Sequence, residues 1–435
     1  MNKIWICIIL IFTIVNVYSL TLDEAIEIGF ENSPIIKSAS QNLEQTKWDY
    51  YQSTFELFPT ANLNASYTKY DPSIGINTEN NKSYGIQASQ TLFAGGKIWL
   101  NKKTKQNLYK ASKENFSLKK IELLSEIENK FFNALEKKQY VLIAENEYNN
   151  AVTNEQIAQI RYNNGSLTEA ELFRMKAQTV NKKVNNIQAK TNLLTAVIDL
   201  KNTLGIKDDV IPEDINEDVF EENMFNVYEW DMEQINKFVE DISQLSLSEN
   251  TSLKVYQLNI KNVKNQLTMA TGNFLPTVNL SYSKSYAKTN LEDDYSDSST
   301  LMLNASIPIL PFGNNLSSYL KNKANLRKNE FDYTTTENTI SLNARSTALA
   351  WVSAIQTAKS AELSLEYAKK SWQQMNQRYK NGIISSSEML DADIMLSNAN
   401  VQYVTSRYNI LRNKANLKKL LDIESDEEFI KLVIN

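Results

Sequence analysis

Four short segments of the chain alternate apolar and polar residues. They are residues 60–70, 83–93, 277–287 and 300–308. In the first segment Leu63, Ala65 and Tyr67 are separated by single polar residues. Strict alternation gives a strand one apolar face and one polar face. Each segment approximates the 9–11 residues that a tilted strand needs to cross a bilayer, so the pattern predicts four membrane strands.

Two much longer windows lack helix breakers. Residues 97–211 and 314–435 contain no proline and only three of the ten glycines of the chain. Because both residue types are unfavourable inside helices, these windows indicate helices. Apolar residues within them recur at steps of three, four or seven, which is typical of coiled-coil packing. We predict long helices at 97–162 and 314–379, each about 100 Å long at the α-helical rise.

The same pentapeptide pattern, Arg-Tyr-X-Asn-Gly, follows in both long windows. It covers Arg161–Gly165 and Arg378–Gly382. Glycine suits the left-handed residue that ends a helix, and the Thr168/Glu171 and Ser385/Glu388 pairs that follow have capping-box spacing. Each pattern therefore predicts a helical hairpin. The expected tip turns and return helices are 163–167 with 168–204, and 380–384 with 385–421.

Several landmarks recur 217 residues apart, which indicates an internal duplication. Besides the tip turns, Pro59-Thr60 matches Pro276-Thr277 and Gly96 matches Gly313. The chain thus reads as two copies of helix, two strands, long helix, turn and return helix. The predicted parts are a signal peptide (1–19), a first repeat (20–206), an acidic equatorial linker (207–248), a second repeat (249–423) and a C-terminal tail (424–435).

The first residues have the pattern of a secretory signal. Lys3 is followed by an almost uninterrupted apolar run to Val17, and small residues precede an expected cleavage after Ser19. The only cysteine, Cys7, lies inside this segment, so no disulfide or cysteine-linked lipid anchor is expected in the mature chain.

Composition then narrows the chemistry. The chain has no histidine, and with Cys7 in the signal this excludes Ser-His-Asp and Cys-His catalysis and the usual zinc, haem and iron–sulfur ligands. We expect no enzyme activity, no cofactor and no metal site. The formal net charge is −5, and no basic patch indicates a nucleic-acid partner.

The strands are the elements through which the mature chain would enter a membrane, since no later segment has eighteen uninterrupted apolar residues. Four strands are too few to close a membrane barrel, and open edges in lipid leave backbone groups unpaired. The strands must therefore be shared among subunits, giving eight in a dimer or twelve in a trimer. A helical tube attached to such a barrel is a conduit.

At this point the sequence resembles the TolC family of outer-membrane efflux proteins. The resemblance rests on LTLDEAIEIGFENSP (20–34), the two Pro-Thr strand starts, LFAGGK (92–97) and RYKNGIISSSEMLDAD (378–393). It implies an α plus membrane β fold, in which long α-helical hairpins form a periplasmic tunnel and four β-strands per chain contribute to a shared 12-stranded trimeric β-barrel. It also implies a homotrimer in the outer membrane that docks to a periplasmic adaptor protein and an inner-membrane pump.

The resemblance places the channel gate at the hairpin tips. Its candidate gate or selectivity residues here are Tyr379, Glu388, Asp391, Glu171 and Arg174. A ring of Asp391 would attract cations, and Arg174, the repeat equivalent of Asp391, could form a closing salt bridge between hairpins. Helix capping alone also explains both glutamates. Where relatives have an arginine two residues after the tip glycine, this chain has Ile384.

The candidate adaptor contacts are Gly165, Gly382, Arg161 and Arg378. Plain turn chemistry with solvated arginines is the alternative for these residues. Strand aromatic residues such as Tyr67, Tyr84 and Tyr282 are expected to face lipid or its headgroups.

Three functions explain these patterns to different degrees. The leading hypothesis is a passive exit duct of a tripartite efflux or type I secretion system, energised by its pump, because no GxxxxGK[ST] nucleotide loop is present. A periplasmic coiled-coil scaffold without a pore explains the helices but not the matched pairs of strands. A carboxylate-based enzyme would need paired acids in a pocket, which no pattern indicates. The cargo, whether drugs, metal ions or polypeptides, stays open.

Overall fold

The computed structural model describes residues 18–70, 80–215, 225–248, 250–289, 291–309 and 313–434. Most of the predicted signal peptide lies outside these residues. In chain order the elements are β1 (Tyr18–Leu20), α1 (Leu22–Asn32), α2 (Pro34–Phe55), β2 (Thr60–Lys69), β3 (Asn80–Ala94), α3 (Lys97–Asn163), α4 (Glu169–Leu204), β4 (Val210–Pro212), α5 (Phe225–Tyr228), α6 (Met232–Ser248), α7 (Thr251–Gly272), β5 (Thr277–Thr289), β6 (Ser296–Ser306), α8 (Asn314–Lys380), α9 (Ser386–Leu420), α10 (Asp426–Phe429) and a π-helical turn (Ile430–Ile434).

The chain divides into two compact units. We call them the strand unit (Ser38–Leu118 and Asn250–Thr339) and the tip unit (Met1–Lys37, Lys119–Glu249 and Ile340–Asn435). The long helices α3 and α8 each contain 67 residues and end one residue beyond the predicted boundary. None of the described helices is both long enough and apolar enough to cross a membrane.

In the strand unit, four strands form one antiparallel sheet in the order β2-β3-β5-β6. Leu63 pairs with Ile86, and Tyr282 pairs with both Ala88 and Leu301. Directly paired residues share a face of a sheet. The register therefore places all four predicted apolar stripes on one face and leaves a polar face opposite.

The predicted strand ends need correction at several places. β3 begins at residue 80 instead of 83, and β6 runs from 296 to 306 instead of 300 to 308. The connection between β5 and β6 is shorter than the predicted strand ends imply, because β5 continues to residue 289 and pairs with β6 from residue 296. Ladder hydrogen bonds continue there although the side chains have become polar. Residues 71–79, between β2 and β3, lie outside the described residues.

Two glycines bring the repeats together at the base of the sheet. Gly95 ends the β3 segment with a positive φ of 61°, and a Cβ atom at this position would lie 2.2 Å from the carbonyl oxygen of Gly272 in α7. Only glycine permits such an approach of two backbones. Further along α3, the buried Asn107 donates its Nδ2–H to Asn262 Oδ1 of α7 at 2.9 Å.

The core of the tip unit forms around Trp351 of α8, which is 1 % exposed. Phe238 of α6 and Phe429 of α10 contact its ring, with centroid distances of 5.9 Å each. The predicted linker 207–248 therefore contains an amphipathic helix whose apolar face is part of this core. It also contains β4, which pairs in parallel with β1.

The pairing of β1 involves the end of the predicted signal peptide. Tyr18 pairs with Val210 and Leu20 with Pro212, and the Glu213 N–H donates to the Leu20 carbonyl at 2.8 Å. Cleavage after Ser19 stays a prediction, and it would leave Leu20 as the one β1 residue of the mature chain.

A buried ionic cluster joins α9 to α3 and to the C-terminal tail. Lys418 Nζ lies 2.5 Å from Glu128 and 2.7 Å from Asp426, and its side chain is 4 % exposed. Burial raises the pKa of Glu128, an effect that Lys418 partly offsets. Burial opposes the charge on Lys418, but Glu128 and Asp426 outweigh it and raise the lysine pKa. The cluster holds together only while both signs of charge are present.

Candidate functional site

The first hairpin tip has the geometry of a glycine-capped helix end. The Ser166 N–H donates to the Arg161 carbonyl and the Gly165 N–H to the Tyr162 carbonyl, both at 2.9 Å. Gly165 has a φ of 73°, the left-handed conformation that this double hydrogen bond requires. The side chain of Thr168 then caps α4 together with Glu171.

The second tip repeats this geometry. The Ile383 N–H donates to the Arg378 carbonyl at 2.9 Å, and the Gly382 N–H donates to the Tyr379 carbonyl at 3.0 Å. Gly382 has a φ of 74°. Ser385 and Glu388 form the capping box of α9. The repeated pentapeptide thus builds the same turn twice.

The two tips touch through an arginine and a tyrosine. The guanidinium carbon of Arg161 lies 5.1 Å from the ring centroid of Tyr379, and Arg161 Nη1 donates to the Tyr379 carbonyl at 3.4 Å. Tyr379 is fully buried. The repeat equivalents of this pair, Arg378 and Tyr162, are both exposed. One chain therefore forms the Arg161–Tyr379 contact internally, while Arg378 and Tyr162 are exposed on its surface and do not form the equivalent contact with each other.

A small apolar core supports both tips. Four of its buried members pair by the repeat, since Leu167 matches Ile384 and Leu172 matches Met389. Ile384 is 7 % exposed, so this residue is part of the apolar core of the turn, at the position where the family resemblance leads us to expect an arginine. Burial of apolar side chains holds the tips together here.

The two glutamates of the tips are occupied by capping. The Thr168 hydroxyl and the Thr168 N–H lower the pKa of Glu171, and Arg161 and the Ser386 N–H add to the effect. The N–H and hydroxyl of Ser385 lower the pKa of Glu388, assisted by Arg378. Both pKa values are lowered because these hydrogen bonds favour the charged carboxylate form.

Within the described ranges, Asp391 and Arg174 have no such partners. Both side chains are exposed, and among the described residues no ion pair joins them. A salt bridge between them within one chain is absent from this part of the structure. A bridge to a neighbouring subunit stays a prediction.

A polar pocket of about 20 Å³ behind the tips was not predicted. Glu147 pairs with Lys182 at 2.7 Å, and the Trp372 indole N–H donates to Asp393 Oδ1 at 2.6 Å. Burial raises the pKa of Asp393, opposed by Trp372 and by Lys182. No sequence motif indicates this pocket, because its residues come from four different helices.

Solved structures of outer-membrane channels share this fold. CusC superposes with a TM-score of 0.80 at 17 % identity, covering 93 % of this chain and 92 % of CusC. The outer membrane channel CmeC of Campylobacter jejuni gives 0.78 at 17 % identity, covering 94 % and 88 %. VceC from Vibrio cholerae gives 0.75 at 14 % identity, covering 92 % and 96 %. No curated protein sequence matches the chain.

A chain with four membrane strands and two matching helical hairpins has the architecture of an outer-membrane channel. The sequence profile of the outer membrane efflux protein family matches residues 26–206 and 242–422, one match for each repeat. The chain belongs to this family, which is a transport family and not an enzyme family. It is an efflux channel of the outer membrane, with its strands in the membrane and its helical tunnel in the periplasm.

Proposed function

We propose that this channel is a homotrimer and the exit duct of a tripartite efflux or type I secretion system. It receives cargo from an inner-membrane pump through a periplasmic adaptor protein. The open sheet supports this proposal, because β2 and β6 are its two edges. Pairing β2 of one chain with β6 of the next closes twelve strands into a barrel that leaves no edge in lipid.

The observation that carries the gate assignment is the contact between Arg161 and Tyr379. Three chains bring six hairpins to the tunnel end, so equivalent tip contacts alternate within and between chains. We propose that Arg378 stacks on Tyr162 of the partner subunit, as Arg161 stacks on Tyr379. Six such pairs hold the tips closed, and separating them opens the tunnel.

The charged residues of the tips then have different roles. Asp391 is exposed and makes no ion pair with the part of the chain that the structure describes, so three copies form an acidic ring that favours cations. Glu171 and Glu388 serve mainly as caps, because their carboxylates accept N–H and O–H groups. Arg174 is exposed at the matching position of the first hairpin and is the candidate partner of Asp391 in the neighbouring chain.

The adaptor contact is assigned to the tip surface. Gly165 and Gly382 are exposed and have no side chain, so a partner helix can approach the turn backbone closely. A Cβ atom at Gly165 would meet no atom within 4 Å. A side chain there would meet no other atom of the described residues, but it would strain the backbone because Gly165 has a left-handed φ of 73°.

Cysteine cross-linking tests the alternating tip contacts. The mature chain lacks cysteine if the signal is removed, since Cys7 is the only one. A Tyr162→Cys/Arg378→Cys variant should oxidise to dimers and trimers on a denaturing gel. The matched Arg161→Cys/Tyr379→Cys variant should give cross-linked monomers. Cross-linked monomers from both variants, or no cross-link from the first, would contradict the proposal.

A further inference from the structure

The charged residues of the sheet lie on its apolar face. The described strands contain five ionisable lysine or aspartate residues: Lys69, Lys82, Lys284, Lys288 and Asp297. Lys82 pairs with Tyr67, Lys284 with Ile86, and Asp297 with Tyr286. Paired residues share a face, so all five lie on the face of Leu63 and Ile86. The opposite face carries mainly serine, threonine and asparagine.

Three of the lysines lie at the loop ends of their strands. Lys69 is the last residue of β2, Lys82 the third of β3 and Lys288 the last but one of β5. Lys284 lies further inside β5, but its Nζ is over the ring of Tyr286, 5.3 Å from the centroid. Its ammonium group is thus directed toward the loop end of the strand.

Tyrosines lie between these lysines. Tyr84 stacks on Tyr286 with a centroid distance of 5.1 Å and meets Tyr295 edge-on at 5.3 Å. We call the four lysines with Tyr67, Tyr84, Tyr286 and Tyr295 the lysine–tyrosine girdle. Tyrosine rings prefer the boundary between hydrocarbon and water.

The placement of the lysines needs a physical reason. A lysine on the lipid face is costly at the middle of the bilayer and nearly neutral near its surface. Long lysine side chains extend to the surface while their methylene groups cover apolar area. The polar face would have accepted these charges without any such cost. Lys288 donates to the Asp293 carbonyl within the chain. An anionic partner beside the apolar face accounts for the position of the other lysines.

We propose that the lysine–tyrosine girdle binds the phosphate groups of lipid headgroups in the outer leaflet of the outer membrane. The helices lie in the periplasm, so the loop ends of the strands reach the outer leaflet. On the apolar face of the strands, four lysines stand against one aspartate. The acidic residues Glu292, Asp293 and Asp294 lie beyond the strand ends, in the connection between β5 and β6. The proposal rests on the outer-membrane location and not on the tip assignments.

Native mass spectrometry of the detergent-extracted oligomer measures this binding. The probes are phosphatidic acid and phosphatidylcholine with the same acyl chains. The unmodified protein should retain phosphatidic acid preferentially, by about fivefold for each lysine that contacts a phosphate. Lys82→Gln/Lys284→Gln/Lys288→Gln should lose this preference. The control Lys183→Gln/Lys207→Gln/Lys369→Gln, which removes the same charge from exposed positions outside the strands, should keep it.

A position swap tests the face directly. Ser283→Lys/Lys284→Ser keeps the composition and net charge but moves one ammonium group to the polar face. It should lose part of the preference, as Lys284→Gln does. If the triple variant fails to assemble, this double variant can test the proposal in its place.

Three results would overturn the proposal. They are equal binding of both lipids by the unmodified protein, an undiminished preference in an assembled girdle variant, and displacement of the lipid by millimolar inorganic phosphate. Conductance measurements on the same preparations show whether the channel itself still functions, independently of lipid binding. A girdle variant that conducts normally but binds lipid like the parent contradicts the girdle alone.

Discussion

Arg161 of the first hairpin lies over the ring of Tyr379 of the second, with 5.1 Å between the guanidinium carbon and the ring centroid. A cation over an aromatic face is held by electrostatic attraction to the ring, most strongly where water is excluded. Tyr379 is fully buried, and its hydroxyl has no hydrogen-bond partner among the described residues. The ring, and not the hydroxyl, therefore joins the two tips.

Substitutions of Tyr379 separate the contribution of its ring from that of its hydroxyl. Tyr379→Phe keeps the ring and removes an unpartnered buried hydroxyl, so it should leave the tips equally stable or stabilise them by about 1 kcal/mol. Tyr379→Ala should destabilise them by about 3–5 kcal/mol, because it leaves a cavity and releases Arg161. Hydrogen exchange of the amides at both tips measures the difference. Equally fast exchange in the two variants would show that the hydroxyl matters.

The buried cluster around Lys418 should be sensitive to the loss of one partner. Lys418→Met leaves Glu128 charged and buried, which should cost about 3–5 kcal/mol. Lys418→Met/Glu128→Leu should recover much of this loss, since an apolar pair replaces the ion pair. The adjacent Lys419 is exposed, and Lys419→Met should change stability by less than about 0.5 kcal/mol. Thermal denaturation measures these differences. Equal decreases of the melting temperature in Lys418→Met and Lys419→Met would contradict a stabilising role of the buried cluster.

Asp393 should make stability depend on pH. Burial raises its pKa above the ordinary 3.8, so the folded protein binds this proton more readily than the unfolded chain does. Its contribution to stability therefore decreases as the pH rises from 3.8 through the raised pKa. Asp393→Asn keeps an oxygen acceptor for Trp372 and removes the dependence. The difference in the free energy of unfolding between Asp393→Asn and the unmodified protein should therefore grow as the pH rises through this range. A difference that stays constant with pH would contradict the role of Asp393.

Asp391 should control ion preference. Asp391→Asn removes the acidic ring and should move the reversal potential in a salt gradient toward zero. Glu388→Gln is the matched control, since glutamine preserves the capping box and removes a charge already engaged by Ser385. The account predicts a clearly larger shift for Asp391→Asn. Equal shifts would mean that the general charge of the tip determines the preference.

Local patterns in the sequence predicted most of the architecture. Alternation marks strands, absent breakers mark helices, and the repeated pentapeptide marks both tips, because each of these signals depends on neighbouring residues. The difference between Tyr162 and Tyr379 was not predictable, since identical motifs surround them and only packing buries one. The Trp372–Asp393 hydrogen bond and the common face of the strand lysines depend on pairing between distant segments, which spacing does not reveal.

Conductance of the purified oligomer in a planar bilayer, across a salt gradient, tests the channel and its tip gate together. The account predicts discrete cation-preferring openings, and it predicts that they become more frequent in Tyr379→Ala, where the pair that holds the tips is broken. Assembled and inserted oligomers of Tyr379→Ala that stay silent, or that open no more often than the unmodified protein, would contradict it.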